Sequence, residues 1–340
     1  MLGVYATSLK NQMITHLCCM SFLCLLAFIS GDKAIQSFQH ECVNESQVCL
    51  VMDAGIQVID ITPLLNNSTE DAKNAVKSAI GAACRGWGMF YITNHGTEVI
   101  AKDFVEQMRI FFESSKEVKN SVRRQVNNSR GFADDEYTKQ KIDTKEIFDV
   151  GHKPVPDLED DAVENIMLDG YNQWPRGAGL ENFRSVVENY YAVCSKLASV
   201  LLSAIAYDLG IEPQIFEDVF SRHTSFLRLN YYPVFNGRDS SSDILGVSRH
   251  TDAGVLTLLM QDSNSALEVY SGTKQDNNDG QWIHVDPVPG GLAINVCDML
   301  QVRPYHCPEM LYSQGNSYPT IEQNSRLCYY HQSLLSSSSD

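Results

Sequence analysis

The chain has 340 residues, 44% hydrophobic and 20% charged, which supports a large buried core and excludes bulk disorder. Forty-two acidic against 26 basic residues give a formal charge of −16. Such an acidic body repels phosphate backbones and anionic lipid, so nucleic-acid or membrane-surface binding by general electrostatics is disfavoured.

Residues 17–29 form an apolar run of 13 with Lys10 as the only basic residue ahead of it. That is short of the roughly 20 residues a membrane span needs, but it has the size of a signal-peptide core. Phe28 stands where a cut after Ser30 would want a small residue. A leader, an anchor and a dispensable extension over 1–51 all stay open, because Met52 opens what reads as a domain start. Asn44-Glu45-Ser46 is a glycosylation triplet. The ten cysteines contain no CxxC pair; scattered in this way they read as small buried hydrophobes in a reducing, cytoplasmic setting. Cys42 and Cys49 are close enough in sequence to pair if the N-terminus were secreted.

Gln57–Ile61 alternates like a strand, and Ser68-x-x-Asp71 has the form of a helix cap. Ala72, Ala75, Val76, Ala79, Ile80 and Ala83 then keep helical spacing until Gly86 and Gly88 break it. Met89–Ile92 reads as a buried strand, followed by a helix over about 97–118 and a polar, irregular stretch over 119–179. The longest predicted helix starts near Glu181, with a stripe from Phe183 to Leu209, and Gly210 stops it. A short helix over 212–222 follows. Beyond residue 224 the period turns strand-like: Ser225–Tyr232, Val255–Met260, Ala266–Tyr270, Gln281–Val285, Leu292–Val296 and Met299–Val302. Helices first and short strands after predict an α+β chain ending in a sandwich or barrel.

His250 and Asp252 sit two apart before an apolar strand, and in extended chain such residues share a face. They can offer an imidazole nitrogen and a carboxylate to one metal, part of the ligand set of non-haem Fe(II) oxygenases. The flanking motifs give this tripeptide its weight. They are Val58-Ile59-Asp60-Ile61, Gly86-Trp87-Gly88-Met89-Phe90-Tyr91-Ile92-Thr93-Asn94-His95-Gly96, Lys145-Glu146-Ile147-Phe148-Asp149 and Asn172-Gln173-Trp174-Pro175. Leu227-Arg228-Leu229-Asn230-Tyr231-Tyr232-Pro233 and Asn295-Val296-Cys297-Asp298-Met299-Leu300-Gln301-Val302 complete the series. In this order they resemble the plant-and-fungal type of 2-oxoglutarate/Fe(II) dioxygenase, the group that includes isopenicillin N synthase.

The resemblance implies a helical N-terminal region (52–180) packed on a double-stranded β-helix, or jelly roll (181–340). It places His250 and Asp252 on the first two iron ligands, and Tyr232 and Asn230 at the 2-oxoglutarate. It leaves His95 structural. Trp87, Phe90 and Trp174 are most simply core aromatics, and Asp149 and Arg228 are either a buried pair or site-lining groups.

Residues 303–340 depart from the pattern. Met310 stands where relatives present their third ligand, and a thioether is a poor donor to Fe(II). His306 is the nearest replacement, four residues earlier and so about 13 Å away on a regular strand; His331 is a remoter one. Arg326-Leu327-Cys328 keeps the arginine that grips the distal carboxylate of 2-oxoglutarate, while a thiol replaces the usual serine hydroxyl.

Two readings follow. The first is an Fe(II)- and 2-oxoglutarate-dependent dioxygenase oxidising a small organic substrate with O2, with no obligatory protein partner; an oxidase without 2-oxoglutarate is a variant that Arg326 argues against. The second is a non-catalytic binding protein or inactive homologue on the same fold.

Overall fold

The computed structural model describes residues 23–30, 49–51, 55–138, 141–142, 145–152, 170–212, 214, 223–233, 247–252, 254–264, 266–271, 281–300 and 329–331. Strands β1 (Leu23–Ser30), β2 (Cys49–Val51) and β3 (Gln57–Asp60) lead into a one-turn helix α1 (Thr62–Leu65). Helix α2 (Glu70–Arg85) is capped by Thr69, whose hydroxyl accepts from the Ala72 amide. Ser68, expected in that role, instead donates to the Asn66 side chain. Gly88, at φ +69, takes the left-handed turn that opens β4 (Met89–Thr93).

The helix expected over 97–118 divides into α3 (Glu98–Phe112) and α4 (Lys116–Asn120), with Ser115 capping the second. The stretch taken as irregular contains four short strands: β5 (Gly131–Ala133), β6 (Tyr137–Thr138), β7 (Lys141–Ile142) and β8 (Glu146–Gly151). Their polarity hid them, because charged residues of this stretch pair with one another, Lys119 with Glu146 and Arg124 with Glu136 and Asp149 among them. Helix α5 (Phe183–Asp208) buries Phe183, Val187, Tyr190, Cys194, Leu197, Leu201 and Ile205. Leu209 falls beyond its end and is exposed. This helix is long and apolar enough to cross a membrane, but 56% of its apolar window is buried inside the protein. Most of the helix expected over 212–222 lies outside the described residues.

Then come β9 (Phe226–Tyr232), β10 (Val247–His250), β11 (Leu256–Met260), β12 (Leu267–Ser271), β13 (Gln281–Val285), β14 (Leu292–Val296) and β15 (Tyr329–His331). Of the strand expected over Met299–Val302, residues 299 and 300 form a turn and the other two lie outside the described residues.

Nine strands form one sheet in the order β2-β3-β4-β14-β11-β1-β9-β8-β5, and four form another in the order β10-β15-β12-β13. Strands from the N-terminal half thus extend both ends of the large sheet. One core layer, with Ile80, Phe104, Phe111, Phe148, Leu201, Leu229, Leu258 and Ile294, lies between that sheet and the helices. Phe104 and Tyr190 stack there at 3.9 Å. A second layer, with Met89, Tyr91, Leu259 and Ala293 from the large sheet and Leu267, Val269 and Val285 from the small one, holds the two sheets face to face. The result is an α+β fold: two facing sheets with helices covering the outer face of the larger, and a separate two-stranded sheet of β6 and β7.

Candidate active site

Alternation along each strand decides what the inter-sheet space contains. On β9, Leu227 and Leu229 join the helix-side core, so Arg228, Asn230 and Tyr232 face the small sheet. On β11, Leu256 and Leu258 go to the helix side, and Thr257 and Leu259 go inward. Asn295, the cross-strand partner of Thr257 on β14, shares the inward face.

His250 ends β10 in the small sheet, and Asp252 follows in the loop to β11. Their side chains come together: His250 Nε2 lies 3.7 Å from Asp252 Oδ1. The other carboxylate oxygen, Oδ2, accepts a 2.8 Å hydrogen bond from Thr257 Oγ1. Thr257 is fully buried, and its single hydroxyl proton is committed to the carboxylate. The Cys297 thiol has that hydroxyl at 3.2 Å and the Asn295 carbonyl at 3.7 Å as acceptors for its one proton.

The loop is clipped to the segment after β14. The amides of Cys297, Asp298 and Met299 donate to the carbonyls of Val255, Asp252 and Gly254 at 3.1, 3.0 and 3.1 Å, and Thr251 Oγ1 donates to Asp298 Oδ2 at 2.8 Å. The donor chemistry fits a first-row divalent metal: with metal–N and metal–O bonds of about 2.0–2.2 Å, one ion can touch both groups while Thr257 holds the remaining oxygen. Among the described residues no group of three or more His, Cys, Asp or Glu is gathered for a metal.

Sequence reasoning quoted Cys297 and Asp298 only as part of a motif, and it missed Thr257. The signal for Thr257 was a polar residue inside a strand that is otherwise apolar and wholly buried.

Asn230 and Tyr232 come from β9, both buried, with Asn230 Nδ2 3.4 Å from the Arg228 carbonyl. His306, Met310, Arg326 and Cys328 lie outside the described residues. His331 is the register partner of Val247 on β10, whereas His250 faces Tyr329. His95 is structural: Nε2 donates to the Gly290 carbonyl at 2.9 Å, and Nδ1 takes the Thr97 amide and hydroxyl at 3.3 and 2.9 Å. Burial pulls its pKa down, keeping the ring neutral. Phe90 is a core residue, while Trp87 and Trp174 are only partly buried.

Asp149 and Arg228 are a buried pair. Arg228 Nε and Nη2 donate to Asp149 Oδ1 and Oδ2, both at 2.9 Å, and Arg124 adds a second guanidinium to Oδ2. Glu136 closes the network, accepting from Arg124 at 2.8 Å and Arg228 at 3.1 Å. Burial would raise the Asp149 pKa, but the field of Arg228, Arg124 and Arg130 outweighs it and holds the carboxyl below its ordinary range.

Residues 56–177 match the family described as "non-haem dioxygenase in morphine synthesis N-terminal", and residues 223–306 match the 2OG-Fe(II) oxygenase superfamily. The chain is 32% identical over 267 residues to homoarginine-6-hydroxylase 2-ODD-C23 of Glycine max, covering 73% of this chain and 77% of that one. It belongs to the 2-oxoglutarate/Fe(II)-dependent dioxygenases. It is also 33% identical over 255 residues to the 2-oxoglutarate-dependent dioxygenase citB of Monascus ruber, covering 72% and 75% of the two chains. The crystal structure of full-length Neurospora crassa T7H in complex with alpha-KG matches with a TM-score of 0.62 at 25% identity, covering 75% of this chain and 77% of that one. Members of this dioxygenase family oxidise small organic substrates with O2, and membership implies use of Fe(II) and 2-oxoglutarate.

Proposed function

We propose that this dioxygenase holds Fe(II) through His250 and Asp252, between the small sheet and β11, and oxidises a small organic substrate by hydroxylation or desaturation. The observation that carries this is the 3.7 Å approach of His250 Nε2 and Asp252 Oδ1, with Thr257 fixing the opposite carboxylate oxygen. His306 is the proposed third ligand. Arg326 and Tyr232, with Asn230 and Cys328, would hold 2-oxoglutarate, the arginine through a bidentate fork to the distal carboxylate. When bound, the metal and co-substrate supply oxygen activation coupled to decarboxylation of 2-oxoglutarate to succinate.

The chain's own contribution is positional. Thr257 orients Asp252, and the amides of residues 297–299 hold its loop. We further propose a jelly-roll closure of the two sheets built mainly from 181–340, with 52–180 as its supporting region and the N-terminal extension 1–51 lending Leu23–Ser30 to the large sheet. The T7H likeness supports this. Three buried cysteines that form no disulfide among the described residues, Cys84, Cys194 and Cys297, support a reducing, cytoplasmic setting.

Anaerobic titration with Fe(II) and then 2-oxoglutarate tests the proposal. A metal-to-ligand charge-transfer band is expected with the wild type and none with His250→Ala or Asp252→Asn. A wild type that gives neither the band nor O2-dependent succinate would instead be the non-catalytic relative. Unchanged iron affinity in His306→Ala would remove that residue from the ligand set.

A further inference from the structure

Part of the apolar run that reads as a leader core, from Leu23 onward, has a place inside the large sheet. Strand β1 pairs in parallel with β9 from Cys24↔Phe226 to Ser30↔Tyr232, and in parallel with β11 from Leu23↔Leu256 to Ala27↔Met260. It is the strand between them. We propose that Leu23–Ser30 is the strand that joins the two halves of the active site, so that the iron centre forms only when this segment sits in the slot between β9 and β11. The consequence for the iron site rests on the function proposed above; the seating of the strand does not.

Each flank of the slot carries part of that site. Asn230 and Tyr232 stand on β9, and Thr257, which holds Asp252, stands on β11. Neighbouring strands lie about 4.8 Å apart, so β9 and β11 are separated by roughly twice that. Leu227, Leu229, Leu256 and Leu258 beside the slot are at most 2% exposed. Without a strand between them, two rows of buried amides and carbonyls would face each other unpaired.

The sequence suits the position. LCLLAFIS lacks the alternation of a half-exposed strand and has the unbroken apolarity of a parallel strand covered on both faces. The connection is long enough for the strand to come from the same chain. Five strand spacings, about 24 Å, separate β1 from β2 at the sheet edge. The 18 residues of 31–48 can reach up to about 60 Å. Seated in the sheet, the segment is not available to a membrane.

The test uses the full chain with a protease recognition sequence replacing residues 33–40, cut after native purification. The N-terminal fragment is expected to co-elute with the rest on gel filtration and to separate only in denaturant. In the uncut protein the amides of 23–30 are expected to exchange as slowly as those of β9 and β11. A fragment that elutes alone, or amides that exchange at the rate of an unprotected peptide, would overturn the proposal. So would a dimer that loses its partner on cutting, which would assign the slot to a second copy. Both readouts are made without metal, so they stand or fall apart from the oxygenase reading.

For the link to the site, Leu26→Pro removes the amide of a residue paired with both Arg228 and Leu259. It is expected to weaken Co(II) binding about ten-fold or more, while Asp32→Pro, beyond the strand, leaves it unchanged. Wild-type Co(II) affinity in Leu26→Pro would refute the coupling.

Discussion

Thr257 Oγ1 donates to Asp252 Oδ2 at 2.8 Å, so a fully buried hydroxyl on the large sheet determines which carboxylate oxygen is turned toward His250. Thr257→Val keeps the shape and deletes the donor. Metal affinity is expected to fall 10- to 100-fold, in the range typical of lost outer-shell partners, with roughly 1–2 kcal/mol lost from the metal-free fold. Thr257→Ser should restore most of the affinity. Co(II) titration alongside urea denaturation reads both, and a valine variant with undiminished affinity would leave Thr257 a packing residue.

Asn295 sits opposite Thr257 on β14, 1% exposed, and its Oδ1 has no hydrogen-bond partner among the described residues. An unmet buried acceptor costs about 1–3 kcal/mol. Asn295→Leu is therefore expected to stabilise the metal-free protein by about 1 kcal/mol while reducing turnover, because a donor arriving with the bound ligands would lose its acceptor. A urea midpoint that falls would show that the amide is already satisfied without ligand.

Asp149 carries a depressed pKa among Arg228, Arg124 and Arg130, against the opposing effect of its burial. A carboxylate lowered in the folded state stabilises above its unfolded pKa, near 3.9, and that stability is lost as the pH falls through the lower folded value. Asp149→Asn removes one of the two carboxylates on the half-buried guanidinium groups of Arg124 and Arg228, with Glu136 still paired to both, at an expected cost of about 2–3 kcal/mol at pH 7. The difference from wild type should shrink below pH 4. Equilibrium denaturation across pH 2.5–7 checks the magnitude and the slope.

The His223 ring lies 4.3 Å from that of His152, tilted by 50°, and its Nδ1 meets Ser225 Oγ at 2.6 Å. Burial, and then His152, push its pKa down to about 4. The unfolded chain then takes up this proton first, so the group's contribution is intact above about pH 6.5 and is lost as the pH falls toward 4. His223→Gln should flatten that part of the stability profile and leave metal binding at pH 7 unchanged. NMR titration of the imidazole reads the same shift directly.

What the residues alone determined was local. The 3.6 period of 72–83 and 183–205 dictated two amphipathic helices, because a helix must bury one stripe, and the runs at 226–232, 256–260 and 292–296 dictated strands. The i, i+2 spacing of His250 and Asp252 placed an imidazole and a carboxylate together, and the ordered motifs around them carried the family. Three things were left to the tertiary structure. Strands 131–133 and 146–151 were hidden by charges that find one another across the sheet. The single hydroxyl of Thr257 gained meaning only when β11 brought it under Asp252. The run at 17–29 has the size of a leader core when read from its apolarity alone. The pairing of residues 23–30 with strands more than two hundred positions away is contained in no local window.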